Sequence, residues 1–235
     1  MKFKCLSIEM LKLLACVTML LDHIGATVYP SVTLRIIGRV AFPIYCFALC
    51  QGFYHTRSKA KYLLRLGICA VVTEPLFDLL FSGGFTWEYQ NVLVTLFLGL
   101  AMAVLMEKVT VPLLKLPVIA PFYFLAELLH TDYAGAGILT VALFILTQDK
   151  QWQLPLQIVG LTLIQLYLDS FPVNVFGISV PIQLFAVGAM VPIAMYSGKK
   201  LTRSRVVQWG FYLFYPVHIL GLLLFIFIKI YSNLL

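Results

Sequence analysis

The sequence predicts an all-α protein: a polytopic integral-membrane bundle of about nine transmembrane helices (eight to ten), with a cytoplasmic N-terminus and a single domain over residues 1–235. Three observations carry this reading. Of the 235 residues, 61% are hydrophobic and only 11% charged, more apolar material than a fully wetted exterior accommodates. Apolar runs of about 20 residues recur from end to end, the length a helix needs to cross hydrocarbon. The basic residues collect in the short breaks between runs, and mostly in alternate breaks.

The first run, 6–29, is too long for the apolar core of a signal peptide. It carries Lys12, Asp22 and His23 and has no small-residue cleavage site, so it reads as the first span. The second, 34–54, opens on Arg35 and Arg39 around Gly38, and the third, 62–82, holds Glu74 and Asp78. The fourth is 91–107, with Asn91 and Thr95. The fifth, 111–129, is predicted to be kinked or partly re-entrant because Pro112, Pro117 and Pro121 interrupt it. Asp132-Tyr133 precedes the sixth, 134–148; the seventh is 154–169; Asn174 precedes the eighth, 175–196. The ninth, 206–231, contains FYLFYPVH (211–218), in which Tyr215 and His218 flank Pro216.

Orientation follows from charge. With the N-terminus inside, Lys2, Lys4, Lys12, Arg57, Lys59, Lys61, Arg65, Lys108, Lys115, Lys150, Lys199, Lys200, Arg203 and Arg205 are cytoplasmic. Only Arg35, Arg39 and Lys229 fall outside, a bias of fourteen to three. The net charge of +7 is therefore a topology signal and does not indicate a nucleic-acid partner. The five cysteines form no disulfide or zinc pattern and read as small packing residues, with no metal site.

Ionisable residues within apolar spans are costly and mark function or pairing. Lys12 and His23 are eleven residues apart, so they share a helix face, separated by roughly 16 Å of rise. A cation at the inner mouth and a base deeper along the same stripe suit a long ligand with an anionic head, such as acyl-coenzyme A. An imidazole near neutrality takes and returns a proton; His23 is thus a catalytic base or acyl carrier, or else interhelical glue. Asp22 is adjacent to His23 and cannot face it along one helix; its expected partners are Arg35 or Arg39. Those arginines either snorkel to the outer interface or pair with Asp22, Asp132 or Asp169 around a polar cavity. Arg57, Lys59, Lys61 and Arg65 form a cytoplasmic cluster, read either as the positive-inside signal alone or as a phosphate site. Glu74, Asp78, Asn91, Asp132, Tyr215 and His218 are further cavity candidates.

The chain resembles the TraX family, named for the conjugative pilin acetylase. The resemblance rests on LKLLACVTMLLDHIG (11–25), LRIIGRVAFPIY…QGFYHTR (34–57), KYLLRL (61–66), EPLFD (74–78), NVLVTLFLGL (91–100), DYAGAGIL (132–139), MYSGKK (195–200) and FYLFYPVH (211–218). That family is similar to the wider transmembrane acyltransferase superfamily, including the acyltransferase-3 and lysosomal glucosaminide acetyltransferase groups. Those carry Arg or Lys, ten residues, then His, a spacing that Lys12 and His23 match; Gln51 stands where an acidic residue is expected. The resemblance implies acetyl-CoA as donor on the cytoplasmic side of a bacterial cell membrane. It also implies an amine or hydroxyl acceptor (peptide, glycan or lipid) at the outer face, with Lys12, Arg57, Lys59, Lys61 and Arg65 on the CoA phosphates. A proton-coupled transporter and a non-catalytic assembly factor are the competing classes.

Overall fold

A computed structural model describes residues 4–232 apart from Lys150, Asp169 and Arg203. Lys2, Lys150 and Arg203 of the basic count, and Asp169 as an arginine partner, lie outside the described residues.

Helix α1 spans Ile8–Thr27 and starts at Ser7, whose hydroxyl accepts from the Met10 amide at 3.2 Å, relieving one of the unpaired amides of the first turn. Helices α2 (Val32–Gly38) and α3 (Ala41–His55) are nearly continuous. They are offset at Arg39-Val40 because Pro43 has no amide to donate to the Arg39 carbonyl. Ser58 caps α4 (Lys59–Phe81), with Pro75 inside it, and Asn91 caps α5 (Val92–Lys108). A 3₁₀ turn over Pro112–Lys115 leads directly into α6 (Leu116–Leu128), which carries Pro121 inside it. Helices α7 (Ala134–Thr147) and α8 (Gln153–Tyr167) follow, and α10 (Arg205–Ser232) closes the bundle.

Helix occurs in each of the nine apolar intervals, but among the described residues three segments are long and apolar enough to cross a membrane: Ile8–Val28, Val32–His55 and Arg205–Ser232. The eighth interval departs most from expectation. Its first part is an antiparallel hairpin, β1 (Pro172–Val175) and β2 (Ile178–Pro181), turning at Phe176-Gly177. Both turn residues have positive φ, +51° and +85°, the geometry of a tight two-residue hairpin. Helix resumes only at Ile182–Ala189 as 3₁₀ and continues as α9 (Met190–Ala194). Among the described residues the fold is thus helical with one small sheet.

The helix ends gather in two layers. At one, the isolated bridge Leu6–Tyr196 ties the start of α1 to the loop after α9, beside the ends of α3, α4 and α5, where Lys59 pairs with Glu107. At the other, Gln90 bridges Thr131, and the Gln90 and Asp132 amides donate to His130 and Gln90 carbonyls at 3.1 and 2.9 Å. The buried core between them is built from α1, α3, α5 and α7, with Leu11, Ile44, Leu100, Ile138 and Phe144 almost wholly enclosed. Cys16, Cys46, Cys50 and Cys69 are free and buried, as packing residues should be.

Candidate active site

The pair Asp22-His23 lies one turn before the end of α1, at the layer opposite the basic loops. Asp22 is buried and takes both arginines of the second run. Arg35 Nη1 donates to its Oδ2 at 2.7 Å, and Arg39 Nη2 donates to its Oδ1. Arg39 Nε also donates to the Arg35 carbonyl at 3.2 Å. This is the pairing expected of charges in apolar helices, and it excludes snorkelling for buried Arg39. It depends on Gly38, where a Cβ would stand 2.2 Å from the Cβ of Asp22. The close approach of α2 to α1 is what brings the guanidinium groups within reach.

Around this ion triad lies a polar cavity of about 240 Å³, whose wall includes Asp22, His23, Arg35, Arg39, Asp132 and Tyr133. Asp132 accepts from the Tyr89 hydroxyl at 2.6 Å. Its own carbonyl takes the Thr95 hydroxyl, which fixes the turn into α7. Tyr133 is held at φ +64° and stacks on Phe42 with ring centroids 3.8 Å apart.

His23 makes no hydrogen bond to Asp22 among the described residues. Its Nδ1 is 2.8 Å from Nε2 of His218, and His218 Nδ1 is 2.8 Å from the Phe214 carbonyl. A carbonyl only accepts, so the His218 proton is on Nδ1 and its Nε2 holds a lone pair. His23 therefore donates through Nδ1, and its own Nε2 is left as a free base on a ring that walls the cavity. The chain Phe214–His218–His23 fixes both tautomer and ring orientation.

Two further cavities follow this one toward the basic layer, each sharing wall residues with the next. The middle one, about 90 Å³, is mainly apolar and shares Met19, Tyr45 and Val92 with the polar cavity; Lys12, Tyr62 and Tyr215 also line it. The last, about 300 Å³, shares Lys12, Ala48, Tyr62 and Tyr212 with the middle one and adds Arg57, Arg65 and Lys200. Lys12 thus stands where the two meet, with Nζ 5.5 Å above the Phe211 ring. Among the described residues, Lys12, Arg57 and Arg65 are in no ion pair.

A family model described as "TraX protein" matches residues 7–226. The chain belongs to the TraX family. The chain is 31% identical over 230 aligned positions to the "Probable fimbrial assembly protein FimC, serogroup H1" of Dichelobacter nodosus, covering 89% of this chain and 91% of that one. It is 38% identical over 92 positions to an uncharacterized protein of Rickettsia prowazekii, covering 39% of this chain and 34% of that one. No solved structure matches.

Not every sequence-predicted residue of this TraX chain reaches the cavities. Lys59 is held by Glu107, with Nζ 4.5 Å above the Phe53 ring, and Lys61 is exposed and lines none of the three. Glu74 braces the start of α5 instead, accepting from the Asn91 amide at 3.2 Å and its side-chain nitrogen at 2.5 Å. Asn91 itself caps α5, and Asp78 accepts from the Thr86 amide at 3.1 Å. These three hold loops together. Tyr89 has no signal in the sequence, because no charge in an apolar run or recognisable spacing marks it, whereas Tyr133 and Lys200 are marked there only by their place, beside Asp132 and in the basic count.

Proposed function

We propose that this membrane protein is an acyltransferase that passes an acetyl group from cytoplasmic acetyl-CoA to an amine or hydroxyl at the outer face of the bacterial cell membrane. In this reading the nine helical segments are the spans of one domain, several of them short or broken, and the N-terminus is cytoplasmic. The observation that supports it best is the row of three cavities, leading from free cations at the basic layer to the unprotonated Nε2 of His23 at the other. A CoA phosphate group would meet Lys12, Arg57, Arg65 and Lys200, where charge-assisted hydrogen bonds are strong. The thin pantetheine arm would follow the narrow apolar middle cavity.

At the far end, His23 Nε2 takes the proton from the acceptor N–H or O–H as that atom bonds to the thioester carbon. The C–S bond then breaks, and the CoA thiolate takes the proton from the imidazolium. Asp22 acts at one remove: its carboxylate holds Arg35 and Arg39 in place, so the cavity stays polar and shaped. The acceptor side of this cavity carries Asp132 and the two guanidinium groups. The relative named for fimbrial assembly makes a fimbrial subunit the first acceptor to try.

The test is purified protein in lipid vesicles given acetyl-CoA and a short peptide with a free amino terminus. The expected outcome is release of CoA on the basic side and acetylated peptide on the other. The same relative's name also favours an assembly factor without catalysis. That reading replaces the first if acetyl-CoA neither binds nor turns over while the protein is still needed to build fimbriae.

A further inference from the structure

The FYLFYPVH stretch of α10 supplies His218, but the reaction above leaves its Tyr215 unused. Tyr215 is 4% exposed, and among the described residues its hydroxyl proton has no acceptor; the Val92 amide beside it is itself a donor. A buried hydroxyl whose proton has no acceptor destabilises the fold, so natural structures carry few of them. The neighbouring tyrosines are satisfied: Tyr45 donates to Cys16 Sγ at 3.1 Å and Tyr89 to Asp132 at 2.6 Å. Tyr215 lines the middle cavity, on the side from which an acyl group carried on a pantetheine arm would arrive. Its ring centroid is 6.2 Å from that of His23 and 5.4 Å from that of His218. The surrounding walls, including Met19, Leu49, Leu66 and Leu96, are apolar, and a donor in such a setting interacts more strongly with developing charge than it would in water.

We propose that Tyr215 is a catalytic residue whose hydroxyl donates a hydrogen bond to the carbonyl oxygen of the acyl thioester. The assignment deepens the acyl-transfer reading and rests on it. As the acceptor atom bonds to the carbonyl carbon, the C=O π pair moves onto oxygen, and the Tyr215 O–H stabilises that oxyanion. The acceptor's proton goes to His23 Nε2. Collapse restores the C=O bond, expels the thiolate and returns the proton from His23 to sulfur. The Tyr215 proton stays on its own oxygen throughout, and nothing is oxidised or reduced.

Tyr215→Phe removes only the oxygen. In purified protein in lipid, kcat for acetyl transfer is expected to fall about 10²–10³-fold, the effect of losing one oxyanion donor, while the acetyl-CoA dissociation constant is unchanged. Because the hydroxyl proton has no acceptor among the described residues, the melting temperature should change little. Infrared difference spectra of bound carbonyl-¹³C acetyl-CoA give a readout independent of the acceptor. The thioester band should lie at lower frequency in the native protein than in Tyr215→Phe. An identical band in both proteins, or equal kcat, overturns the role of Tyr215 while leaving acyl transfer intact. A lower melting temperature with an unmoved band assigns it to packing and overturns it equally. Failure of the native protein to bind acetyl-CoA removes the acyl-transfer reading, and the assignment with it.

Discussion

His23 illustrates how little freedom a single side chain keeps once its partners are counted. Three atoms in sequence, the Phe214 carbonyl, His218 Nε2 and His23 Nδ1, set the one remaining lone pair on His23 Nε2. If that lone pair is the general base, His23→Ala should lower turnover by about 10²–10⁴-fold, the usual reach of general acid–base catalysis. His218 is a positioning residue in this scheme. His218→Ala should lower kcat by about ten- to a hundredfold, a part of that same range, with acetyl-CoA affinity unchanged. His218→Gln retains an oxygen that can accept from His23 Nδ1–H, and should recover part of the loss. Kinetics and thermal melts on the same preparations decide it. If both His218 variants melt early yet keep native turnover per folded molecule, the histidine pair is interhelical glue.

The contact of α1 with α2 is where the cavity is made or lost. Gly38 faces Asp22 so closely that any Cβ must displace the carboxylate, with its Cγ only 2.6 Å away. Gly38→Ala should therefore cost about 1–3 kcal/mol from overpacking. It should also part Asp22 from its arginines and abolish acetyl transfer. Gly210, with nothing within 4 Å, is the control: alanine there should leave melting temperature and activity in place. Equal melting of the two variants would remove the close approach from the account. This contact was legible in the sequence, since charges in apolar runs must find one another and a glycine between two arginines permits it. The hairpin was not. Pro172-Val-Asn-Val and Ile-Ser-Val-Pro181 are apolar enough to extend a hydropathy run, and only their alternation and the Phe176-Gly177 turn betray strands. Nor was the fate of Lys59: all the loop cations look alike in sequence, and only the packing of α4 on α5 hands this one to Glu107. The unpaired proton of the Tyr215 hydroxyl has no sequence signal at all, because it depends on which groups the neighbouring helices present.

Across the whole molecule, the unpaired cations of the basic cavity and the Asp22–Arg35–Arg39 triad lie at opposite layers, with a mainly apolar cavity between them. A ligand that spans both layers must be long, thin in the middle and anionic at one end only. Charge alone does not choose which cations bind it, since the basic layer also contains residues committed elsewhere. Lys12 and Arg65 line the basic cavity without ion pairs, whereas Lys59 is bound to Glu107 outside it. Neutralising Lys12 and Arg65 together should raise the CoA dissociation constant at least tenfold, about 1.4 kcal/mol. Lys59→Ala, which removes one positive charge from the same layer, should leave it unchanged, because an exposed pair of this kind contributes little. Salt should weaken CoA binding to the native protein more than to the double variant, since screening acts on the charges that remain. Calorimetric titration of CoA and dephospho-CoA into the three proteins reads all of this at once. A smaller loss for dephospho-CoA would place the 3′-phosphate at these two cations. Should Lys59→Ala weaken CoA as much per charge removed as the double variant does, the layer acts through its total charge, and the cavity has no part in choosing the donor.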